Sequence, residues 1–196
     1  MRIEFNIIQD WVKQNSRVLD LGCGDGTLLS QLRHNKNIEG LGIEMDNQLL
    51  TSCVEKELSV IQQDLNAGLS NFANDSFDTV IMTLTLQAMH RPDQVLEEML
   101  RVGKTAIVAF PNFGNWRSRY ALLFNGRMPV SPFMPFEWFD TPNIHFCTIS
   151  DFEILCQQKK IRVVNKTTAN AAARQPIWVK IWPNWFSTVA VYHLTR

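Results

Sequence analysis

The amino-acid sequence predicts a doubly wound α/β domain, in which a parallel sheet carries helices on both faces. Three observations predict this fold. The apolar segment 18–21 runs into glycines at alternate positions and then into an apolar helix start, as at the first βα turn of such a domain. Segments with strand period alternate with segments of helical period over most of the chain up to residue 110. The segment 104–110 is largely apolar, which is typical of a central parallel strand.

The first part of the chain contains four segments with apolar residues at helical spacing. They predict helices over residues 3–14, 27–34, 47–57 and 92–101. Asp46 is placed to cap the third helix, and Pro92 suits the first turn of the fourth. Short apolar segments between them predict strands over residues 17–21, 38–44, 58–62, 77–84 and 104–110.

The alternation breaks over residues 111–147, where prolines punctuate many aromatic residues. We predict a short helix over 116–124 inside this segment. A long aromatic insertion after a sheet strand commonly serves as a lid or a binding surface, and ordinary core packing is the alternative. Because Arg and aromatic residues dominate protein interfaces, we also note the arginines interleaved with the aromatics, Arg117, Arg119, Arg127 and Arg174.

The last part of the chain returns to regular patterns. Thr148 or Ser150 is predicted to cap a helix that ends near Lys159. Alternating residues then predict strands over 161–166 and 188–194. We interpret the tryptophan-rich stretch 178–185 between them as an exposed hairpin connection.

Length and composition narrow the functional classes. A chain of 196 residues is expected to form a single domain over residues 1–196, with the aromatic segment as an insertion. Lys plus Arg and Asp plus Glu both number 19, so neither a nucleic acid nor an anionic membrane is favoured as a partner. Without a long apolar segment or a signal-peptide pattern at the N-terminus, we expect a soluble, cytoplasmic protein.

The cysteines give no sign of a metal or disulfide framework. They are widely scattered and include no C-x-x-C pair, at Cys23, Cys53, Cys147 and Cys156. We therefore predict no metal site and interpret these residues as small buried hydrophobes.

Three carboxylates decide which ligand the glycine turn suits. The glycines are spaced G-x-G-x-G rather than in the dinucleotide pattern G-x-G-x-x-G, at Gly22, Gly24 and Gly26. Asp20 before the turn would repel a pyrophosphate but suits a ligand with an ammonium and a sulfonium. Glu44, at the end of the second strand, is placed for ribose hydroxyls, and Asp64, after the third, for an adenine amine. A dinucleotide is the disfavoured alternative.

These motifs resemble those of the class I S-adenosylmethionine-dependent methyltransferases over residues 15–110. The segments 18–26, 42–46, 63–65 and 77–82 carry the resemblance. It implies a Rossmann-like, mostly parallel seven-stranded sheet with one antiparallel strand. It also implies that S-adenosylmethionine or S-adenosylhomocysteine is bound by Asp20, Gly22, Cys23, Gly24, Gly26, Glu44, Met45, Asp64, Leu65, Thr83 and Leu84.

A second resemblance covers the chain to about Cys156 and includes the aromatic segment. Residues 22–26, 86–88, 98–103, 110–114, 125–131 and 140–145 look like those of the methionine biosynthesis protein MetW family. This resemblance implies a bacterial, cytoplasmic protein that supports homoserine O-acyltransferase in methionine synthesis. It implies no methyl acceptor.

Whether the chain catalyses methyl transfer stays open. An acceptor of high pKa would need a base, and His90 and His145 are the weak candidates, with a structural role as the alternative for both. Enzymes that methylate nucleic bases carry an amine-presenting motif after the fourth strand. Residues 83–86 occupy that place here without such a motif, which disfavours nucleic-base methylation. The two hypotheses are a partner protein of the acyltransferase and an active small-molecule methyltransferase. A homo-oligomer is compatible with both.

Overall fold

The computed structural model describes residues 3–131, 133–170 and 176–196. Its strands form a seven-stranded sheet in the order β3-β2-β1-β4-β5-β7-β6. The strands are β1 (Arg17–Leu21), β2 (Glu39–Glu44), β3 (Ser59–Gln62), β4 (Phe77–Thr83), β5 (Gly103–Pro111), β6 (Arg162–Ala169) and β7 (Val189–Thr195). β7 runs antiparallel to both neighbours and the other pairs are parallel, so the predicted fold class is confirmed.

The helices follow the predicted alternation. They are α1 (Ile3–Trp11), α2 (Thr27–Lys36), α3 (Asn47–Glu55), α4 (Pro92–Val102), α5 (Trp116–Tyr120), α6 (Ile149–Gln158), α7 (Ile177–Ile181) and α8 (Pro183–Phe186). Short 3-10 turns occupy Leu65–Ala67 and Leu86–Ala88, and a π-helical turn, Ala121–Asn125, extends α5. The predicted caps are confirmed at Asp46 and at Thr148, which forms a capping box with Asp151, whereas Ser150 lies inside α6.

Some element ends differ from the prediction. α1 ends at Trp11 rather than near residue 14, because Asn15 adopts φ 55° and donates its N–H to the Lys36 carbonyl at the end of α2. β6 ends at Ala169 rather than at residue 166. The stretch 178–185 lies in the connection between the antiparallel strands β6 and β7, as predicted, and it contains parts of the short helices α7 and α8, which were not predicted. Residues 171–175, including Arg174, lie outside the described residues.

Side chains from one strand divide between two hydrophobic cores, one on each face of the sheet. In β4, Val80 and Met82 belong to the core that contains Leu96 of α4 and Phe152 of α6. Ile81 points to the other core, which contains residues of α1 and α2. This division follows from the two-residue period of a strand, and it explains why the central strands are apolar on both faces.

Arg101 holds the long connection between β3 and β4 against α4. Its guanidinium donates to both carboxylate oxygens of Glu98, at 2.7 Å each. It also donates to the backbone carbonyls of Leu69 and Phe72 at 2.9 and 2.8 Å, and to Asn74 Oδ1 at 2.9 Å. A planar guanidinium can satisfy all these acceptors at once, which an ammonium cannot.

Arg101→Ala is expected to lower the free energy of unfolding by about 2–3 kcal/mol, because two backbone carbonyls lose a charged donor. Urea denaturation monitored by circular dichroism measures the change. Arg91→Ala is the control, since Arg91 precedes the same helix and its side chain is 62% exposed. We expect Arg91→Ala to leave stability unchanged. Equal losses in the two variants would contradict this role of Arg101.

Candidate functional site

A cavity of about 990 Å³ lies where β1 to β4 end at the carboxyl edge of the sheet. Strand order reverses between β1 and β4, and open α/β sheets bind their ligands at such a point. Eight of the eleven predicted cofactor residues line this cavity, namely Gly22, Gly24, Glu44, Met45, Asp64, Leu65, Thr83 and Leu84.

The glycine turn reaches this cavity through two residues with positive φ. Gly22 has φ 74°, and a Cβ built on it would lie 2.6 Å from the Thr85 hydroxyl oxygen. Gly24 has φ 58°, and a Cβ built on it would meet no atom within 4 Å. Glycine at position 22 therefore allows the loops after β1 and β4 to touch, whereas glycine at position 24 leaves backbone open to a ligand.

The Glu44 carboxylate joins the end of β2 to the glycine turn. Its Oε2 accepts the N–H of Gly24 at 2.9 Å. Its Oε1 accepts the N–H groups of Met45 and Asp46 at 2.7 and 3.1 Å. A carboxylate has about four acceptor positions, so roughly one remains for a ligand hydroxyl. Glu44 therefore positions the loop as well as facing the cavity.

Asp64 follows β3 and is exposed at the cavity wall. Its Oδ1 accepts the backbone and side-chain N–H groups of Asn66 at 2.9 and 3.1 Å, which caps the 3-10 turn. Both of these hydrogen bonds go to Oδ1 rather than Oδ2, and the adjoining Leu65 is buried. The carboxylate can therefore accept from a ligand N–H without losing its cap.

The loop after β4 carries backbone strain. Leu84 adopts φ 56°, a conformation that costs a large side chain about 1–2 kcal/mol. Its N–H donates to the Ala109 carbonyl at 2.8 Å, which holds the strained residue in place. The buried Thr83 Oγ1 beside it has no hydrogen-bond partner in the described part of the chain. Strain and an unsatisfied hydroxyl at one cavity wall are typical of binding sites.

Three predicted cofactor residues do not line the cavity. Asp20 is only 2% exposed within β1. The Cys23 side chain packs over Gly42, and its Sγ lies 4.0 Å from that of Cys53; burial raises the pKa of the Cys23 thiol, which stays neutral. Gly26 packs against Leu58 and Cys53 at the start of α2. Their part in binding remains a prediction.

Asp25 acts structurally in the turn rather than facing the cavity. Its carboxylate accepts from the Thr27 N–H and hydroxyl, and from the Lys56 ammonium at 2.8 Å. The hydrogen bond from Lys56 is the main reason that the pKa of Asp25 falls to about 2. This agrees with the capping alternative for Asp25 and Thr27.

The two candidate bases lie near each other, but outside the large cavity. His145 Nε2 is 3.4 Å from the His90 carbonyl oxygen, and both side chains are exposed. The His90 N–H donates to Asn66 Oδ1, which gives this turn a structural role. Neither residue lines the large cavity, so a catalytic role for them remains an unsupported prediction.

Sequence reasoning did not single out several residues of the cavity wall. Gln87 and Asn143 lie there together with lid-segment residues Phe133, Pro135 and Phe136. The proline and aromatic composition of the segment 111–147 indicated a lid or a binding surface, with core packing as the alternative, but no local pattern says which of its residues face the cavity. Glu4 of α1 also contributes to the wall although it is buried, and only the tertiary structure reveals this.

The described ranges contain neither a cluster of metal ligands nor a helix able to span a membrane. Residues 3–131, 133–170 and 176–196 contain no group of three or more His, Cys, Asp or Glu side chains arranged to hold a metal ion. Across the same ranges, no helix is long and apolar enough to cross a bilayer.

Comparison with known proteins places the chain in a family. A family model described as "Methionine biosynthesis protein MetW" matches residues 2–194. The "Bifunctional methionine biosynthesis protein MetXA/MetW" of Rhodopirellula baltica is 37% identical over 170 residues, which are 82% of this chain and 27% of the relative. The chain thus spans about a quarter of that relative's length.

Solved structures show the same fold at low identity. An S-adenosylmethionine-dependent methyltransferase from Mesorhizobium loti has a TM-score of 0.73 and 13% identity, over 100% of this chain and 98% of that one. A putative methyltransferase in complex with the Haloferax volcanii Trm112 activator has a TM-score of 0.66 and 17% identity, over 94% and 83%. This chain belongs to the MetW family of methionine biosynthesis proteins and has the fold of the class I S-adenosylmethionine-dependent methyltransferases.

Proposed function

We propose that this chain binds S-adenosylmethionine in the large cavity and acts in methionine biosynthesis as a protein partner of homoserine O-acyltransferase. The observation that carries the cofactor proposal is the meeting of Glu44, Asp64 and the open backbone of Gly24 at one cavity wall. Hydroxyl and amine groups of a nucleoside need acceptors, and the two carboxylates provide them.

The chemistry of the cavity fits this ligand. Glu44 is assigned to the ribose hydroxyls, Asp64 to the adenine amine, and the turn at Gly22 and Gly24 to the amino-acid part. We also assign to Asp20, the acidic residue before the turn, a preference for a cationic ligand over a pyrophosphate. When bound, S-adenosylmethionine supplies a methyl group on a positive sulfur. S-adenosylhomocysteine, which retains the adenosine and amino-acid parts, is accepted by the same residues.

An exposed apolar surface supports the partner proposal. We define the aromatic surface by exposed residues of α5, its π-helical extension, α7 and α8: Trp116, Tyr120, Leu123, Phe124, Trp178, Trp182 and Trp185. The Arg119 guanidinium lies 4.8 Å from the centre of the Trp185 ring and connects the two parts of the surface. A large apolar patch that contains Arg and Trp is typical of a protein interface.

The family supports homoserine O-acyltransferase as the proposed partner. The Rhodopirellula baltica relative carries MetXA and MetW on one chain, and the MetW resemblance implies homoserine O-acyltransferase as the associated enzyme. A solved methyltransferase-fold protein is likewise in complex with a protein activator. We also propose a cytoplasmic location, with which four free cysteines in the described chain are compatible because disulfides are rare there.

A second candidate function is methyl transfer to a small molecule. The size of the large cavity and the contribution of lid residues to its wall favour it, because there is space beside a cofactor for an acceptor. Such a displacement can be catalysed largely by alignment of the two reactants. Of the carboxylates in the described cavity wall, Glu44 and Asp64 are assigned to the cofactor and Glu4 is buried, and no histidine lines that wall. The acceptor that fits best is therefore one that is already nucleophilic, such as a thiolate.

Glu44→Gln is expected to weaken S-adenosylmethionine binding by about ten- to a hundredfold, or ~1.4–2.8 kcal/mol. The amide removes one acceptor and places N–H groups against those of Gly24 or Met45. Isothermal titration calorimetry measures the affinity. Glu39→Gln is the matched control, because Glu39 is exposed at the opposite end of the same strand. Equal affinities in the two variants would rule out the assigned ribose contact.

Leu123→Asp is expected to weaken binding to the homoserine O-acyltransferase of the same organism at least about tenfold, because it places a charge in an apolar interface. Leu123 is 76% exposed in the π-helical turn. Val54→Asp is the control, since Val54 is 62% exposed on α3, away from the aromatic surface. Co-purification and surface plasmon resonance measure the complex.

Two results of that experiment would contradict the assigned surface. One is equal binding by both variants. The other is that Leu123→Asp only converts a homo-oligomer of this chain into monomers, as measured by analytical ultracentrifugation. The second result would identify the aromatic surface as a contact between copies of the chain.

The two candidate functions differ in whether they generate S-adenosylhomocysteine. Purified protein is incubated with S-adenosylmethionine and cell extract, then with purified metabolites, and the product is measured by mass spectrometry. The partner function predicts no product above that of Glu44→Gln, because no acceptor is bound. Product that depends on Glu44 and on one metabolite would support the methyltransferase function instead.

A further inference from the structure

A second, smaller cavity of about 100 Å³ lies beside the large one. It lies between the end of β5, α6 and the segment 111–147, and it is partly open to solvent. Its apolar wall includes Leu86, Phe110, Phe113, Phe146, Phe152 and Leu155. None of the predicted cofactor residues lines it, so this cavity is distinct from the proposed cofactor site.

The wall of the small cavity is almost uncharged. Two aromatic pairs form much of it, with ring centres 4.7 Å apart for Phe110 and Phe152 and 4.8 Å apart for Phe113 and Phe146. Burial raises the pKa of the Cys147 thiol to about 12, so this group stays neutral. Asp151 and His145 are the other ionisable residues of the wall. The Asp151 carboxylate already accepts two hydrogen bonds from Thr148, and His145 Nε2 lies 3.4 Å from the His90 carbonyl oxygen. Because both groups are engaged elsewhere, a charged ligand would lose hydration without gaining a free partner.

Gln87 stands between the two cavities and lines both. Its side-chain amide donates to the carbonyl of the strained Leu84 at 2.8 Å. Its backbone carbonyl accepts the N–H groups of Ile144 and His145 at 2.9 and 3.0 Å, which attaches the lid segment to the loop after β4. Asn143 also lines both cavities. The polar residues of the shared wall therefore lie at the side that faces the large cavity.

An apolar cavity of this kind favours an apolar guest over water. A cavity of roughly 150 Å³ lined by aliphatic and aromatic groups stays dry and holds benzene, so 100 Å³ suits about four or five non-hydrogen atoms. Leaving such a space empty lowers stability. Size and neutrality together define the class of ligand as a short, uncharged aliphatic group.

We propose that the small cavity binds the short uncharged aliphatic part of a second ligand, whose polar end lies at Gln87 and Asn143 and faces the large cavity. The inference goes beyond the proposed function, because the small cavity retains its shape and chemistry whether or not S-adenosylmethionine occupies the large one. It gives the chain a site for a small molecule in addition to its cofactor.

The probe is n-butanol, whose four carbons and hydroxyl match the volume and the polar edge. Saturation-transfer NMR on the full chain measures its binding at millimolar concentrations. Leu155→Phe is expected to weaken binding about tenfold or more, because the larger ring fills the cavity. Ile154→Phe is the control on the same helix, since Ile154 is 51% exposed and outside the cavity wall, and it should bind as the wild type does. Butyrate and n-butylamine are expected to bind at least about tenfold more weakly than n-butanol.

Melting temperatures verify that each variant folds. If Leu155→Phe does not fold, Cys147→Leu serves as the second variant, because it fills the same cavity from the segment 111–147. Absence of binding by the wild type, equal binding by the filled and control variants, or butyrate binding as tightly as butanol would each overturn the proposal. A titration of the same samples with S-adenosylmethionine separates this failure from that of the proposed function. If the wild type does not bind S-adenosylmethionine, that result contradicts the proposed function of the large cavity and leaves the small-cavity proposal to the butanol experiment.

Discussion

The reversal of strand order between β1 and β4 is the constraint on which the rest of the structure depends. β1 and β4 are neighbours in the sheet, and the chain continues from β1 to β2 on one side and from β4 to β5 on the other. The loops that follow these two strands therefore diverge and leave a crevice between them. Contact between the loops then requires a residue without Cβ at Gly22, where the Thr85 side chain packs. The large cavity follows from this arrangement, because the remaining loops of the same edge form its walls.

A few side-chain and backbone hydrogen bonds hold the loops of the cavity wall in position. Glu44 ties the glycine turn to the end of β2, and Gln87 ties the lid segment to the strained turn at Leu84. The Glu44 side chain joins two loops, because its carboxylate accepts the Gly24 N–H. At Gln87 the side chain bonds Leu84 in its own loop, and the backbone carbonyl bonds the segment at Ile144 and His145. Both residues also line the large cavity, so the order of these loops and ligand binding there are coupled.

Function is supported unequally across the molecule. The family and the fold are shown by comparison with known proteins. In the large cavity, the carboxylates of Glu44 and Asp64 are hydrogen-bond acceptors suited to a nucleoside. Beside the large cavity lies a small, mostly apolar one, whose ionisable side chains are His145, Cys147 and Asp151. The aromatic surface lies on other elements, α5, α7 and α8. A fold can host many activities, so it is these separate features, and not the fold, that carry the proposals.

The sequence by itself determined the fold class, the two helix caps at Asp46 and Thr148, and the residues expected at the ends of β1, β2 and β3. These properties depend on local period, on glycine spacing and on side chains that bond their own backbone, and all of them can be read from neighbouring residues. The tertiary structure alone decided that Asp20 is buried and does not line the cavity, that two short helices lie in the connection between β6 and β7, and that His90 and His145 lie outside the large cavity. It alone revealed Gln87, because a residue that joins two cavities and a lid is defined by segments far apart in the chain. Local pattern contains no information about such long-range packing.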